Sequence, residues 1–121
     1  MSAAYRRFEI LLPLRFNDGS AVPPEVLADT FLELRTRFRA ASAETQLIRG
    51  TWIHEGQEYA DELVRYFVDT PDVPEHFAFF EKLKETLKHR FKQIEIWIVS
   101  YPCSSAVRTA CLLSQPMCLL P

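Results

Sequence analysis

Glycine is scarce in this chain, with three in 121 residues. There is no Gly-rich loop to cradle a phosphate with backbone amides, and no Gly-x-Ser-x-Gly elbow to present a serine nucleophile. No apolar run approaches the roughly 20 residues needed to cross a bilayer. The patch Ile10–Leu14, behind Arg6 and Arg7, is shorter than a secretory h-region and is interrupted by Pro13. The expectation is an untargeted, cytoplasmic chain with no membrane partner.

A basic excess is missing as well. Fourteen Lys and Arg stand against sixteen Asp and Glu, a net charge of −2, which argues against a dedicated nucleic-acid binder. Cys-x-x-Cys pairs are absent. Cys103, Cys111 and Cys118 are confined to one end; an odd number so placed makes no disulfide framework and lacks the four-ligand organisation of structural zinc. No metal or other cofactor is expected. Acidic residues stop at Glu95, and Arg108 is the only charged side chain beyond it. This break in composition divides the chain into a domain over residues 1–102 and an apolar, Cys-containing tail over 103–121, either disordered or docked.

What is present reads as one α+β domain, of a size that buries enough surface for a core without staples. In Tyr5–Leu14, Phe8, Ile10, Leu12 and Leu14 alternate with Arg7, Glu9, Leu11 and Pro13, the period of a strand with one buried face. Pro23-Pro24-Glu25 opens a helix whose apolar stripe is Leu27, Phe31, Leu34 and Phe38. Glu44–His54 and Tyr59–Asp69 flank Glu55-Gly56-Gln57-Glu58 and predict a β-hairpin, with Gly50 marking a bulge or a close approach. Asp72-Val73-Pro74-Glu75 resembles a capping box before a second helix with the stripe Phe80, Leu83, Leu87 and Phe91. Ile94–Val99 predicts a last strand, with Ile94, Ile96 and Ile98 toward the helices and Glu95, Trp97 and Val99 away from them.

The order strand, helix, strand, strand, helix, strand predicts a four-stranded antiparallel sheet with both helices on one face. Over residues 5–101 this topology resembles the ferredoxin-like superfold, which hosts unrelated functions and so implies no chemistry.

Two places invite a functional reading. On the hairpin, His54, Glu55, Tyr59 and Asp61 are candidates for acid–base catalysis, because an imidazole titrates near neutrality and the carboxylates and phenol stand within a few residues of it. Polar residues collect at hairpin tips in any case, so a solvated tip is the alternative. On the last strand, Trp97 with Glu95, Val99 and Tyr101 would line a sheet face that no helix covers. That face is read as a homodimer seam or a platform for a protein or small-molecule partner, against the alternative of isolated exposed aromatics or a cover formed by the tail. Ile48, Trp52 and His54 share one face of their strand; the sequence leaves open which. The leading expectation is therefore a homodimerising interaction module, and the alternative a small acid–base enzyme built on His54. Base-stacking by an aromatic sheet face is disfavoured, since Leu63–Val68 lacks the Gly-aromatic pattern of an RNA-recognition strand.

Overall fold

The computed structural model describes residues 4–104. Strand β1 spans Tyr5–Pro13, helix α1 Pro24–Phe38, β2 Ser42–Ala43, β3 Ile48–His54, β4 Gln57–Pro71, helix α2 Pro74–Arg90 and β5 Trp97–Cys103. The sheet is antiparallel and five-stranded, with β5, β1 and β4 side by side and both β2 and β3 on the far edge of β4. It differs from the expected four strands in one respect: the second strand is broken in two. Ser42 and Ala43 pair with Phe67 and Tyr66, and the amide of Glu44 still reaches the Arg65 carbonyl at 2.9 Å. Pairing resumes at Ile48 opposite Leu63, so Thr45, Gln46 and Leu47 all fall opposite Val64. This is an extended bulge with an even offset, which preserves the alternation of faces. Gly50 does not mark it. Gly50 pairs in register with Asp61, and a Cβ there would make only an ordinary contact with Leu63.

Alternation in β1 places Phe8, Ile10 and Leu12 under the helices, where they join Leu34, Val68, Leu83, Leu87, Phe91 and Ile96 in one core. Proline at the start of each helix suits positions whose amides need no partner. Arg39, in the left-handed region, closes α1 by donating its backbone N–H to the Arg35 carbonyl at 2.8 Å. The helices are tied by Thr30, whose buried hydroxyl donates to the Val26 carbonyl at 2.8 Å. The same hydroxyl accepts from Arg90 at 3.0 Å, and that guanidinium also reaches Glu33 at 3.0 Å.

Two local expectations are corrected. Asp72 does not cap α2; Val73 is the cap residue and no side chain caps the helix. The Asp72 carboxylate instead accepts from Arg6 Nε at 3.1 Å, across 66 residues of sequence. A charge-assisted bond to a guanidinium is stronger than one to a neutral amide. The last strand begins at Trp97, not Ile94. After Phe91 the chain passes through Lys92 at φ 55°, and the Gln93 amide folds back to the Lys88 carbonyl at 2.8 Å. Ile94 is thereby left 44% exposed while Ile96 reaches the core and Ile98 packs against it. Glu95 also departs from the expected direction, pairing with Lys84 of α2 at 3.2 Å. At the far end β5 includes Cys103, one residue past the expected domain boundary. Cys111, Cys118 and the rest of the predicted tail from residue 105 lie outside the described residues.

Candidate functional site

The length of β4 creates the site. Its second half, Leu63–Pro71, pairs with β1, whereas its first half runs past the end of β1 and pairs with β3. Residues 48–62 therefore form a two-stranded arm. Its turn uses Glu55 at φ 50° and Gly56 at φ 77°, the positive pair that a two-residue hairpin turn demands.

Register settles the face that the sequence left open. Leu11 opposes Trp97 on one side and Arg65 on the other, so Leu11, Trp97 and Arg65 share the face away from the helices. Counting back along β4 by twos gives Leu63, Asp61 and Tyr59, and their partners on β3 are Ile48, Gly50 and Trp52. The hairpin candidates and Trp97 thus lie on one continuous surface. Trp52 stacks on Tyr59 with centroids 4.5 Å apart, and its indole N–H donates to Asp61 at 2.7 Å. His54 Nε2 stands 2.9 Å from Glu55 at the exposed turn. Of the four catalytic candidates, the structure joins Tyr59 and Asp61 through Trp52, whose ring centroid also lies 6.3 Å from that of His54, and sets His54 beside Glu55 at the turn.

Between arm and body this surface is concave. A groove of about 330 Å³ has Trp52, Trp97, Leu11 and Leu63 as apolar walls, with Asp61 and Glu95 as its carboxylates. Gly50 contributes bare backbone, and the buried Gln93 also lines it. A second, more polar hollow of about 430 Å³ lies where the β1–α1 loop, with Arg15 and Phe16, meets Gln57–Glu62. His54 lines neither. Gln93 is a contribution to which no local pattern in the sequence pointed. Gly50 carried a signal, since a glycine inside a strand suggests a close approach, but that it lines one groove with Trp97 follows only from the strand registers.

The remainder of the open face is a band of paired charges flanked by aromatics. Arg7 makes two bonds to Asp69, at 2.7 and 2.8 Å, and lies 4.3 Å over the Phe67 ring. Arg65 pairs with Glu44 and stands 3.5 Å from Glu9. The Tyr101 hydroxyl donates to Glu9. This last bond, reinforced by partial burial and the Glu9 charge, raises the phenol above its ordinary pKa of 10.0. The Arg7 guanidinium is held charged above its usual range, chiefly by the bond to Asp69. Burial pushes the Glu95 carboxyl upward, but bonds from Lys84 and the Ile96 amide, with the Lys84 and Lys88 charges, outweigh it and leave the carboxyl below its usual value. Burial raises the Cys103 thiol, helped by the Asp69 charge. Among the described residues no three His, Cys, Asp or Glu side chains converge to hold a metal ion, and no helix is long and apolar enough to cross a membrane.

The Tyr101 bond gives a direct test of this face. Its hydrogen-bonded form is the neutral one, so its contribution to folding is complete below the ordinary value of 10.0 and is lost as pH rises through the raised one. In an ultraviolet titration Tyr101 is expected to ionise later than a free phenol, and Glu9→Gln to return it toward the free value. An unchanged curve in Glu9→Gln counts against the bond.

No protein-family model matches the chain, and no curated protein matches its sequence. Solved structures do match. A phage SAM lyase in complex with S-methyl-5′-thioadenosine superposes with a TM-score of 0.63 at 17% identity, over 90% of this chain and 96% of the lyase. A phage SAM lyase in the apo state gives 0.59 at the same 17% identity and coverage of 90% and 96%. A divalent cation tolerance protein from Thermus thermophilus gives 0.53 at 18% identity, over 85% of this chain and 87% of that one. At such identities the likeness establishes the fold, an α+β ferredoxin-like domain, and nothing of the chemistry.

Proposed function

We propose that this ferredoxin-like domain is a binding module that homodimerises through its open sheet face. The observation that carries the reading is Trp97, 59% exposed at the start of the edge strand β5 on a face that no other described element covers, with Tyr101 at 41% on the same strand. A large aromatic in water forgoes about 1.5–3 kcal/mol of burial. The charges beside it favour a contact too. Arg7, Arg65, Glu9, Glu44 and Asp69 already have opposite partners on this face, so covering them strands no lone charge, the costly event in burying ions. A twofold contact sets the same patch against itself and counts each residue twice. Trp97→Glu is therefore expected to weaken association by about 100-fold or more. Light scattering should find a dimer for the full chain and a folded monomer for the variant. A full-length chain that stays monomeric at high micromolar concentration overturns the proposal.

A second reading, a small acid–base enzyme, draws support from the groove and its carboxylates. In that reading Asp61, which lines the groove, is the better-placed base, and His54 serves only if substrate reaches the hairpin tip. His54→Ala with full activity and Asp61→Asn without it, on a folded protein, would separate the two roles.

A further inference from the structure

We propose that the groove between Trp52 and Trp97 is a binding site for an alkylated onium cation, a quaternary ammonium or sulfonium group on a small apolar body. The proposal does not require the dimer; a second copy on the open face would roof the groove and shelter its occupant.

The argument begins with the walls. Trp52 and Trp97 both line the groove, and indole is the side chain whose face attracts cations most strongly. Trp52 is fixed, stacked on Tyr59 at 4.5 Å and tethered through its N–H to Asp61 Oδ2 at 2.7 Å. That bond engages one oxygen of Asp61 and orients the other without neutralising the carboxylate. Charge selects next. Asp61 and Glu95 line the groove and no Lys or Arg does, among the described residues. Glu95 has a cationic partner in Lys84 at 3.2 Å, but among the described residues no ion pair within 4.0 Å involves Asp61. An anionic ligand would face two carboxylates, and a neutral one would leave the Asp61 charge uncompensated.

The kind of cation follows from the remaining lining. Leu11, Leu63 and Ile96 offer no hydrogen-bond acceptor on their side chains. Thr51, Gln93, Asp61 and Glu95 do supply acceptors, so a primary ammonium would be held at that polar part of the lining and would leave Leu11, Leu63 and Ile96 uncovered. An onium centre wrapped in alkyl groups has no donors to satisfy and buries its methyls against the same surfaces. A metal ion is disfavoured, because no three ligating side chains converge among the described residues. The volume of about 330 Å³ lies at the small end of the range for small-molecule sites.

The chain contains two tryptophans, and both are in the groove, so intrinsic tryptophan fluorescence reports on this place alone. The test titrates the full-length protein with choline and, separately, with its uncharged isostere 3,3-dimethylbutan-1-ol. Choline is expected to give a saturable change in emission with about ten-fold tighter binding than the isostere. Asp61→Asn should reduce that preference to near unity, and Gly50→Leu, which fills the groove with Asp61 and Trp52 intact, should abolish the response to both. Circular dichroism and light scattering on the same samples show whether each variant is folded and whether association has changed, so failure of the site is distinguishable from failure of the dimer. Equal binding of the two probes, or a choline preference that survives Asp61→Asn, overturns the proposal. So does the absence of a saturable response to choline at 50 mM, roughly the concentration at which a contact of ~2 kcal/mol would show.

Discussion

Replacing Phe80 by alanine is expected to lower the free energy of unfolding by about 3–5 kcal/mol. The ring is the centre of an aromatic stack that joins three elements. It lies parallel to Phe8 of β1 with centroids 4.2 Å apart and parallel to Phe38 of α1 at 5.3 Å, and it meets Phe79 edge-on at 5.3 Å. Removing it leaves a cavity bounded by a strand and by both helices, none of which can move into the space without breaking its other contacts. Phe77, three residues earlier on α2, provides the internal control. It touches Phe8 edge-on at 5.3 Å but is 40% exposed at the rim, so Phe77→Ala should cost about 1 kcal/mol. Urea denaturation of the two variants should show this contrast. Equal losses would mean that the stack is not the organising part of the core.

The second large effect is expected at Leu83. Leu83→Ala should destabilise by about 2–5 kcal/mol, through lost transfer energy and the cavity it leaves. Leu83 and Leu87 lie one turn apart on the buried side of α2, while Glu81 and Lys82 beside them are exposed. Lys82→Ala should therefore fall within about 0.5 kcal/mol of the parent. A loss below about half a kilocalorie for Leu83→Ala would show that the helix presents a different face to the sheet.

These core positions were legible in the sequence because they depend on periodicity. The stripes through Leu34 and through Phe80, Leu83, Leu87 and Phe91 follow the helical repeat, and Phe8, Ile10 and Leu12 follow the strand repeat. The misreadings share a cause, namely partners distant in sequence. Asp72 has the spacing of a cap, but Arg6 is a stronger partner and comes from the opposite end of the domain. Ile94 continues the alternation of Ile96 and Ile98, yet the backbone reversal at Lys92 and Gln93 takes it out of the strand. The break between β2 and β3 carried no signal, since Thr45, Gln46 and Leu47 are ordinary strand residues. For the groove, each wall was visible singly. That Trp52, Asp61 and Trp97 belong to one surface depends on two strand registers, and no local pattern encodes them.

The length of β4 has a consequence for how the molecule breathes. One continuous strand runs through two regions of unequal stability. Val64–Thr70 pairs with β1 along its whole length, and with β2 at Tyr66 and Phe67, whereas Gln57–Glu62 belongs to an arm that no described helix covers, with Ile53 73% exposed on it. Amide deuteration should therefore divide this strand in the middle. Its second half should exchange only on global unfolding, and its first half through cheaper local openings. The same openings would admit a protease at the Glu55-Gly56 turn while the body stays folded. An occupant of the groove, gripping Trp52 on the arm and Trp97 on the body, would then be felt as slowed exchange in residues it does not touch.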